Sequence, residues 1–384
     1  MLRNIGKLAC MIAVIALVPG CWDNLEFNRG AMVMGAGLDR GEHGLLEVGV
    51  NIFTGSGQSS NQSQTGGAAG SQTNAYISTR ADTLAAAIEN ITQSIKRQLV
   101  FTHAEVWLFG EKLARANFVP VVAALRREQM IRPRSYILIT DTSPATVLKS
   151  TPIFKETVSS DIFGAVNDVR YSPAFIPVMI EDFFEQIDGP VQNAFLPVVS
   201  MHDEQGQQIS EVSGTAVIKN NKMVGTLNAD ETFGLSWLLN RFRGGTISVQ
   251  SPYGKSKISV ELFAGKANIK PVLNHHALHV DIAIRAKASL SDFPDAEQLT
   301  EARIEELQDA VSSRIKQLVE RSLSKLQKQY RADITDIGIK IYRRYPQQWH
   351  ELKRDWDSIF AAATATVSVQ TIISNAGMTN RSFH

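Results

Sequence analysis

Cysteine is nearly absent. The 384-residue chain has two, Cys10 and Cys21, both within its first two dozen positions. Everything after Cys21 is free of thiol, which excludes an internal disulfide, a cysteine nucleophile and thiolate metal ligands from the body of the protein. An excess of one sign of charge is also missing. Lys and Arg number 39 against 38 Asp and Glu, so no broad electrostatic footprint for nucleic acid exists. Nor is there a long hydrophobic run. The longest, Leu8 to Val18, is about half of the roughly 20 residues that a helix needs to cross a bilayer. Stability must therefore come from packing, and the length suffices for two or three domains with their own cores.

What is present begins at the N-terminus. Arg3 and Lys7 form a short positive end before the apolar run, and Pro19, Gly20, Cys21, Trp22 and Asp23 follow it. A basic end, a short apolar stretch and a small residue make a secretory signal. A cysteine directly after Gly20 turns that signal toward lipoprotein processing. Residues 1–20 are expected to be removed, and the Cys21 thiol to carry a diacylglycerol at the mature N-terminus. Pro19 departs from the small or β-branched residue more usual there. Removing the signal takes two of the 39 basic residues, Arg3 and Lys7, and no acidic one, leaving 37 against 38, a net charge of −1.

Beyond Cys21, Ala31–Leu38 and the alternation of Leu46, Val48, Val50 and Ile52 flank a turn at Arg40–Gly44 and predict a β-hairpin. Residues 54–75 are almost wholly Gly, Ser, Gln, Asn, Thr and Ala, and are expected to be a mobile loop. Leu84, Ile88, Ile91, Ile95 and Leu99 have helical spacing after a cap at Asp82 or Thr83. Strands at Glu105–Phe109 and Ser135–Thr140 alternate with helical patterns at Phe118–Arg127 and after Ser143 and Pro144, which indicates an α/β region. Phe154–Ile187 continues as helix, broken near Ser172 and Pro173, and Ala194–Val199 is extended.

Past a turn at His202–Gln208, Gly214–Ile218 and Met223–Leu227 flank Asn220 and Asn221, a strong hairpin signal. Asp230 and Glu231 open a short helix. Several strands follow, and in the last of them Leu278, Val280, Ile282, Ile284, Ala286 and Ala288 share one face while His279, Asp281, Arg285 and Lys287 share the other. A long amphipathic helix from about Ala296 to Tyr330 is the natural cover for that sheet. A helix after Pro346, carrying Trp349 and Trp356, leads to a final strand, Thr364–Ile373.

Candidate chemistry is sparse. Gly35, Gly37 and Gly41 have the wrong second gap for a dinucleotide fingerprint and no helix after them. Ser322 and Lys325 have the spacing of the penicillin-binding-protein nucleophile motif, without its later companions, and are expected on a solvated helix face. Gly234, Leu235, Ser236 and Trp237 begin like a nucleophile elbow, but Leu238 stands where the closing glycine belongs. His275 and His279, with His276 and Asp281 nearby, would need a helix to share a metal; on a strand they stand about 13 Å apart. Trp349 with Trp356 is expected to pack in a core, and Arg343 with Arg344 to sit at a solvated strand end, with either pair also suited to a subunit interface. No catalytic residue, metal or cofactor is assigned, and Cys21 is the one candidate site.

Four blocks of residues resemble the Ger(x)C-type spore germination lipoproteins, the C subunits of nutrient germinant receptors. The first is Gly20, Cys21, Trp22, Asp23 and Glu26, with Gly35, Gly37 and Asp39; the second is His103, Glu105, Val106, Leu108, Gly110, Glu111, Leu113 and Ala114. The third and most specific runs from Gly214 through Lys219, Lys222, Gly225, Leu227, Glu231, Thr232 and Gly234 to Trp237. The fourth comprises Asp333, Gly338, Pro346, Trp349, Trp356, Phe360, Val367, Val369, Ile372 and Gly377. Two features depart from the family: the long loop at 54–75, and Arg127, Glu128 and Arg132, which only approximate an Arg-Asp-Pro-Glu-like stretch.

The resemblance implies a non-enzymatic lipoprotein on the outer face of the spore inner membrane, held in the lipid by acylated Cys21. Its partners would be two integral membrane receptor subunits, one transporter-like, and not nucleic acid. The expected fold is α+β and multi-domain: a mixed α/β N-terminal region over residues 21–200, with room for two lobes, and a C-terminal domain over 201–378 with an antiparallel-rich sheet covered by a long helix. Two rival readings are a solute-binding lipoprotein of a transporter, which calls for two matched doubly wound lobes, and a cell-envelope hydrolase, which calls for a catalytic constellation.

Overall fold

A computed structural model describes residues 30–54, 74–116, 118–127, 132, 134–168, 173–252, 256–274, 277–292 and 300–375. The signal peptide, Cys21, residues 55–73 of the expected loop, Glu128, His275, His276 and Gly377 lie outside them.

β1 (Gly30–Arg40) and β2 (Leu46–Phe53) form the expected antiparallel hairpin, turning where His43 and Gly44 take positive φ of 57° and 81°. β3 (Asn74–Ala81) then pairs with β2. The loop expected to run to Ala75 thus ends earlier, because Asn74 and Ala75 pair with Phe53 and Ile52. α1 (Leu84–Ile95) is capped by the Thr83 hydroxyl, which accepts the Ala86 N–H at 3.2 Å. Lys96, left-handed at φ 55°, stops that helix. Leu99 is therefore not its last apolar residue but the middle of β4 (Gln98–Val100).

The central strands β5 (Val106–Gly110), β6 (Tyr136–Thr140) and β7 (Asn193–Glu204) lie parallel to β1 in the order β1-β5-β6-β7. Their continuous apolar runs bury both faces, as parallel strands must. Trp107 and Phe109 enter one core, and Val106 and Leu108 another. α2 (Glu111–Arg115) and α3 (Val119–Arg127) connect β5 to β6. Between β6 and β7 lie α4 (Pro144–Leu148), α5 (Val158–Asn167) and α6 (Ile180–Asp188). The helical stretch expected from Phe154 to Ile187 is therefore two helices, with Phe154 in the connection that precedes them. β8 (Gln207–Lys219) and β9 (Lys222–Leu227) complete a nine-stranded mixed sheet, ordered β3-β2-β1-β5-β6-β7-β8-β9 with β4 beside β1. The turn expected over 202–208 narrows to Gln205 and Gly206, both at positive φ.

α7 (Ala229–Leu238) leaves this sheet and enters the second, which has the order β10 (Gly245–Gln250), β11 (Lys257–Asn274), β12 (Ala277–Asp292) and β13 (Thr364–Asn375). The first three are antiparallel. β13 is parallel to β12 because the chain first crosses over through α8 (Glu301–Ser324), a π-helical turn at Lys325–Tyr330, α9 (Ile337–Arg344), α10 (Pro346–Leu352) and α11 (Trp356–Ala362). The alternating face of β12 is buried from Leu278 to Ala288, and Leu307, Val311, Ile315 and Leu318 bury the stripe of α8. The fold is thus the α+β arrangement expected.

Several details differ from expectation. The long helix starts after its Thr300 cap rather than at Ala296. The segment after Pro346 is two helices, separated by Lys353–Asp355. Arg343 and Arg344 end α9, a helix and not a strand, where cations complement the helix dipole.

Candidate functional site: the seam between the sheets

The third block of family-like residues builds a seam that joins the first sheet to the helices of the second. Asn220 and Asn221, both at positive φ (50° and 63°), make the tight turn between β8 and β9. At Gly225 on β9 a Cβ would overlap the ring of Tyr330, so glycine leaves the seat in which that ring lies. The Tyr330 hydroxyl donates to the Thr226 carbonyl at 2.7 Å. On the same hairpin the Lys219 ammonium meets Asp357 of α11 at 2.7 Å and donates to the Arg331 carbonyl.

α7 is fixed at its first turn. The Asn228 side chain accepts the Glu231 N–H, the Glu231 carboxylate accepts the Asn228 N–H, and both distances are 2.9 Å. The same carboxylate takes the Lys325 ammonium at 2.7 Å, while Asp230 takes Arg314 at 2.8 Å. Two adjacent acids at a helix start thereby hold the long helix at two points. Further on, a Cβ at Gly234 would overlap the Leu318 carbonyl oxygen and come within 3.0 Å of the Ser322 Cβ. Absence of a side chain there sets how closely α7 approaches α8. Trp237 stacks on Phe242 with centroids 4.0 Å apart, and lies where a Cβ on Gly265 of β11 would be.

The fourth block makes a second node. Asp333, 3% exposed, accepts at Oδ1 from the Thr335 N–H (2.9 Å) and hydroxyl (2.7 Å). Its Oδ2 accepts from the Gly338 N–H (2.7 Å) and the Trp356 indole N–H (3.1 Å). Four donors compensate the burial of one carboxylate. Beside it, burial raises the pKa of Asp336, with the neighbouring Asp333 charge pushing the same way.

Ser322 is not on a solvated face, as its spacing suggested. It is fully buried against Gly234, its Oγ finds no partner among the described residues, and Lys325 is committed to Glu231. Ser236 donates to the Phe233 carbonyl inside α7 at 2.7 Å. His279 lies on the open face of β12, where its ring nitrogens are 2.7 Å from Thr364 Oγ1 and 3.2 Å from both Asp281 Oδ1 and Thr366 Oγ1. Among the described residues no group of three His, Cys, Asp or Glu is placed to hold a metal. Trp349 and Trp356 are each 3% exposed and pack with ring centroids 5.0 Å apart, as a core pair. Reasoning from sequence missed Tyr330 as the partner of Gly225, since nothing local marks it.

Two family models match the chain. One, described as the spore germination protein N-terminal domain, covers residues 23–201, and the other, described as spore germination B3/GerAC like, C-terminal, covers residues 213–377. Spore germination protein B3 of Bacillus subtilis (strain 168) is 24% identical over 98% of this chain and 99% of its own. Spore germination protein KC of the same organism is 22% identical over 97% of each chain. The crystal structure of the GerBC protein superposes with a TM-score of 0.59 at 23% identity, covering 88% of this chain and 96% of that one. At that identity the likeness speaks to the fold.

Proposed function

We propose, from the premise that the chain belongs to the Ger(x)C family of spore germination proteins, that it is a non-enzymatic lipoprotein subunit of a nutrient germinant receptor. Acylated at Cys21 on the outer face of the spore inner membrane, it supports the assembly or coupling of two integral membrane subunits, one transporter-like. A single observation carries this reading. Seven of the residues on which the resemblance rests, Gly225, Glu231, Gly234, Trp237, Asp333, Gly338 and Trp356, are spent on packing and caps inside the protein. They shape a surface and do not converge on a reacting atom. The second sheet, an antiparallel meander with one parallel return, does not match the first, which disfavours two similar lobes closing on a solute.

The test is nutrient-triggered germination, with membrane-subunit abundance, in spores carrying single changes. Ser322→Ala and His279→Ala are expected to germinate nearly as wild type. Gly225→Val and Trp237→Ala are expected to lower the amount of assembled receptor. Loss of response in Ser322→Ala or His279→Ala at normal receptor abundance would replace the scaffold reading with a catalytic or ligand-binding one.

A further inference from the structure

The connection between α4 and α5 carries the most exposed large apolar side chain among the described residues. Phe154 is 87% exposed and its neighbour Ile153 45%. The segment that displays them is held in place. The Asp161 carboxylate, in the first turn of α5, accepts the Ile153 N–H at 2.5 Å and the Phe154 N–H at 3.2 and 3.3 Å. α5 is itself fixed, because Thr157 caps it and the Ser160 hydroxyl donates to Glu105 at 2.8 Å. An aromatic ring held in water by backbone clamps is the geometry of a prepared contact.

Its surroundings fit a lipid surface. Lys149 and Lys155, both exposed, flank the apolar pair, with one exposed acid, Glu156, behind Lys155, and the Lys149 ammonium lies 5.0 Å from the centre of the Tyr76 ring. An exposed ring with an aliphatic neighbour supplies the insertion, and the two lysines beside it supply the attraction to anionic headgroups. The position fits as well. α4 and α5 pack directly on β1, where Pro144 and Leu148 lie over Gly37 and Ser159 over Gly35, and β1 is the first strand after Cys21 among the described residues. Eight residues, and so nine residue-to-residue steps, separate Cys21 from Gly30, so the strand start stays within about 32 Å of an acylated cysteine, at about 3.5 Å per step.

We propose that Ile153 and Phe154 form a membrane-docking tip that inserts into the anionic lipid interface and orients the first sheet against the bilayer. The reach argument rests on acylation of Cys21, so the test uses unacylated protein and free vesicles; the tip and the anchor can then fail separately.

The thiol-free body makes the measurement direct. In the mature chain with Cys21→Ala, Ile153→Cys becomes the single attachment point for an environment-sensitive fluorophore, with Phe154 retained. A control probe at Glu89→Cys lies on exposed α1, over the opposite face of the sheet. Vesicles of phosphatidylcholine with about 30 mol% phosphatidylglycerol should shift the Ile153 probe to the blue and leave the control unchanged. Phe154→Asp should weaken vesicle partitioning about five-fold or more. Lys149→Gln with Lys155→Gln should weaken it on anionic vesicles only. Phe154 and Lys155 are exposed and Lys149 gives up only a surface contact with the Tyr76 ring, so each variant is expected to stay folded, with a melting curve close to that of the wild type. The proposal is overturned if the Ile153 probe stays in water on these vesicles, if both probes shift equally, or if Phe154→Asp partitions as the parent does. A tip that becomes shielded only when membrane subunits are co-expressed would likewise overturn it, and would make this a protein contact.

Discussion

Glu231 and Lys325 form a largely buried ion pair, 2.7 Å apart, between the first turn of α7 and the start of the π-helical turn that ends α8. Glu231 also closes the cap of its own helix through the Asn228 N–H. Removing it therefore breaks two contacts at once and leaves a poorly solvated ammonium. Glu231→Ala is expected to lower stability by about 2–4 kcal/mol. Glu231→Gln with Lys325→Met, which keeps an acceptor for the Asn228 N–H and leaves no buried charge unpaired, should cost less. Urea unfolding of both variants checks the order, and equal losses would mean that neither the lost cap nor the unpaired ammonium is costly.

A second prediction concerns the helix pair. In isolation, Gly234→Ala should favour a helix by about 1 kcal/mol. Here the new methyl group would overlap the Leu318 carbonyl oxygen, which is backbone and cannot swing aside. The helices must separate, at a cost of about 1–3 kcal/mol from overpacking. Ser322→Ala, across the same contact, removes a buried hydroxyl that has no partner among the described residues, and should be neutral or stabilising by about 1 kcal/mol. The thermal melt should fall for Gly234→Ala and hold or rise for Ser322→Ala; a Gly234→Ala protein melting at or above wild type would show that α7 and α8 are not this closely packed.

These contacts mark what the sequence could and could not disclose. The burial of Leu278 to Ala288 and the apolar stripe of α8 were legible because strand and helix periods write the core face into neighbouring residues. The Asn220–Asn221 hairpin was legible because positive φ at both positions selects asparagine. Ser322 was legible only in part. Its place four residues from both Leu318 and Leu326 puts it on the buried stripe, but the nucleophile-like spacing to Lys325 points to a solvated face, and its close approach to Gly234 is a tertiary contact with no local signature. Asn74 and Ala75 look like loop in the sequence because their strand state comes from pairing with Phe53 and Ile52, not from their own propensity. Tyr330 in the Gly225 seat is a tertiary match with no local signature.

The third prediction is a pH dependence at Asp39. This carboxylate accepts the Arg40 N–H at 2.8 Å and the Leu113 N–H at 3.2 Å, in a space that a Cβ on Gly110 would fill. Burial outweighs these donors and raises its pKa above the usual 3.8. The folded state then binds the proton more tightly than the unfolded chain, so stability falls as pH rises from the unfolded pKa through the raised folded one. Above that window the penalty on the ionised form is fully present, and below it the penalty vanishes. Asp39→Asn removes the titration. The difference in urea midpoint between variant and wild type should grow in the variant's favour as pH rises through this range, and a difference independent of pH would mean that Asp39 does not titrate abnormally.

The last prediction concerns the anchor. Among the described residues no helix is long and apolar enough to cross a membrane, and the lipid attachment proposed above is at Cys21. Two acyl chains hold a protein firmly where one gives marginal, reversible binding. Losing the diacylglycerol should therefore change location without changing fold. Cys21→Ala, expressed without partner subunits, is expected to move from the membrane to the soluble fraction and keep the wild-type melting curve. Any docking by Ile153 and Phe154 would add only a weak attraction that added salt and dilution release, because its lysines act through a screened field. Fractionation at low and high salt separates the two contributions. A Cys21→Ala protein that stays with membranes through a high-salt wash, with no partner present, would show that the chain is held by something other than the lipid on Cys21.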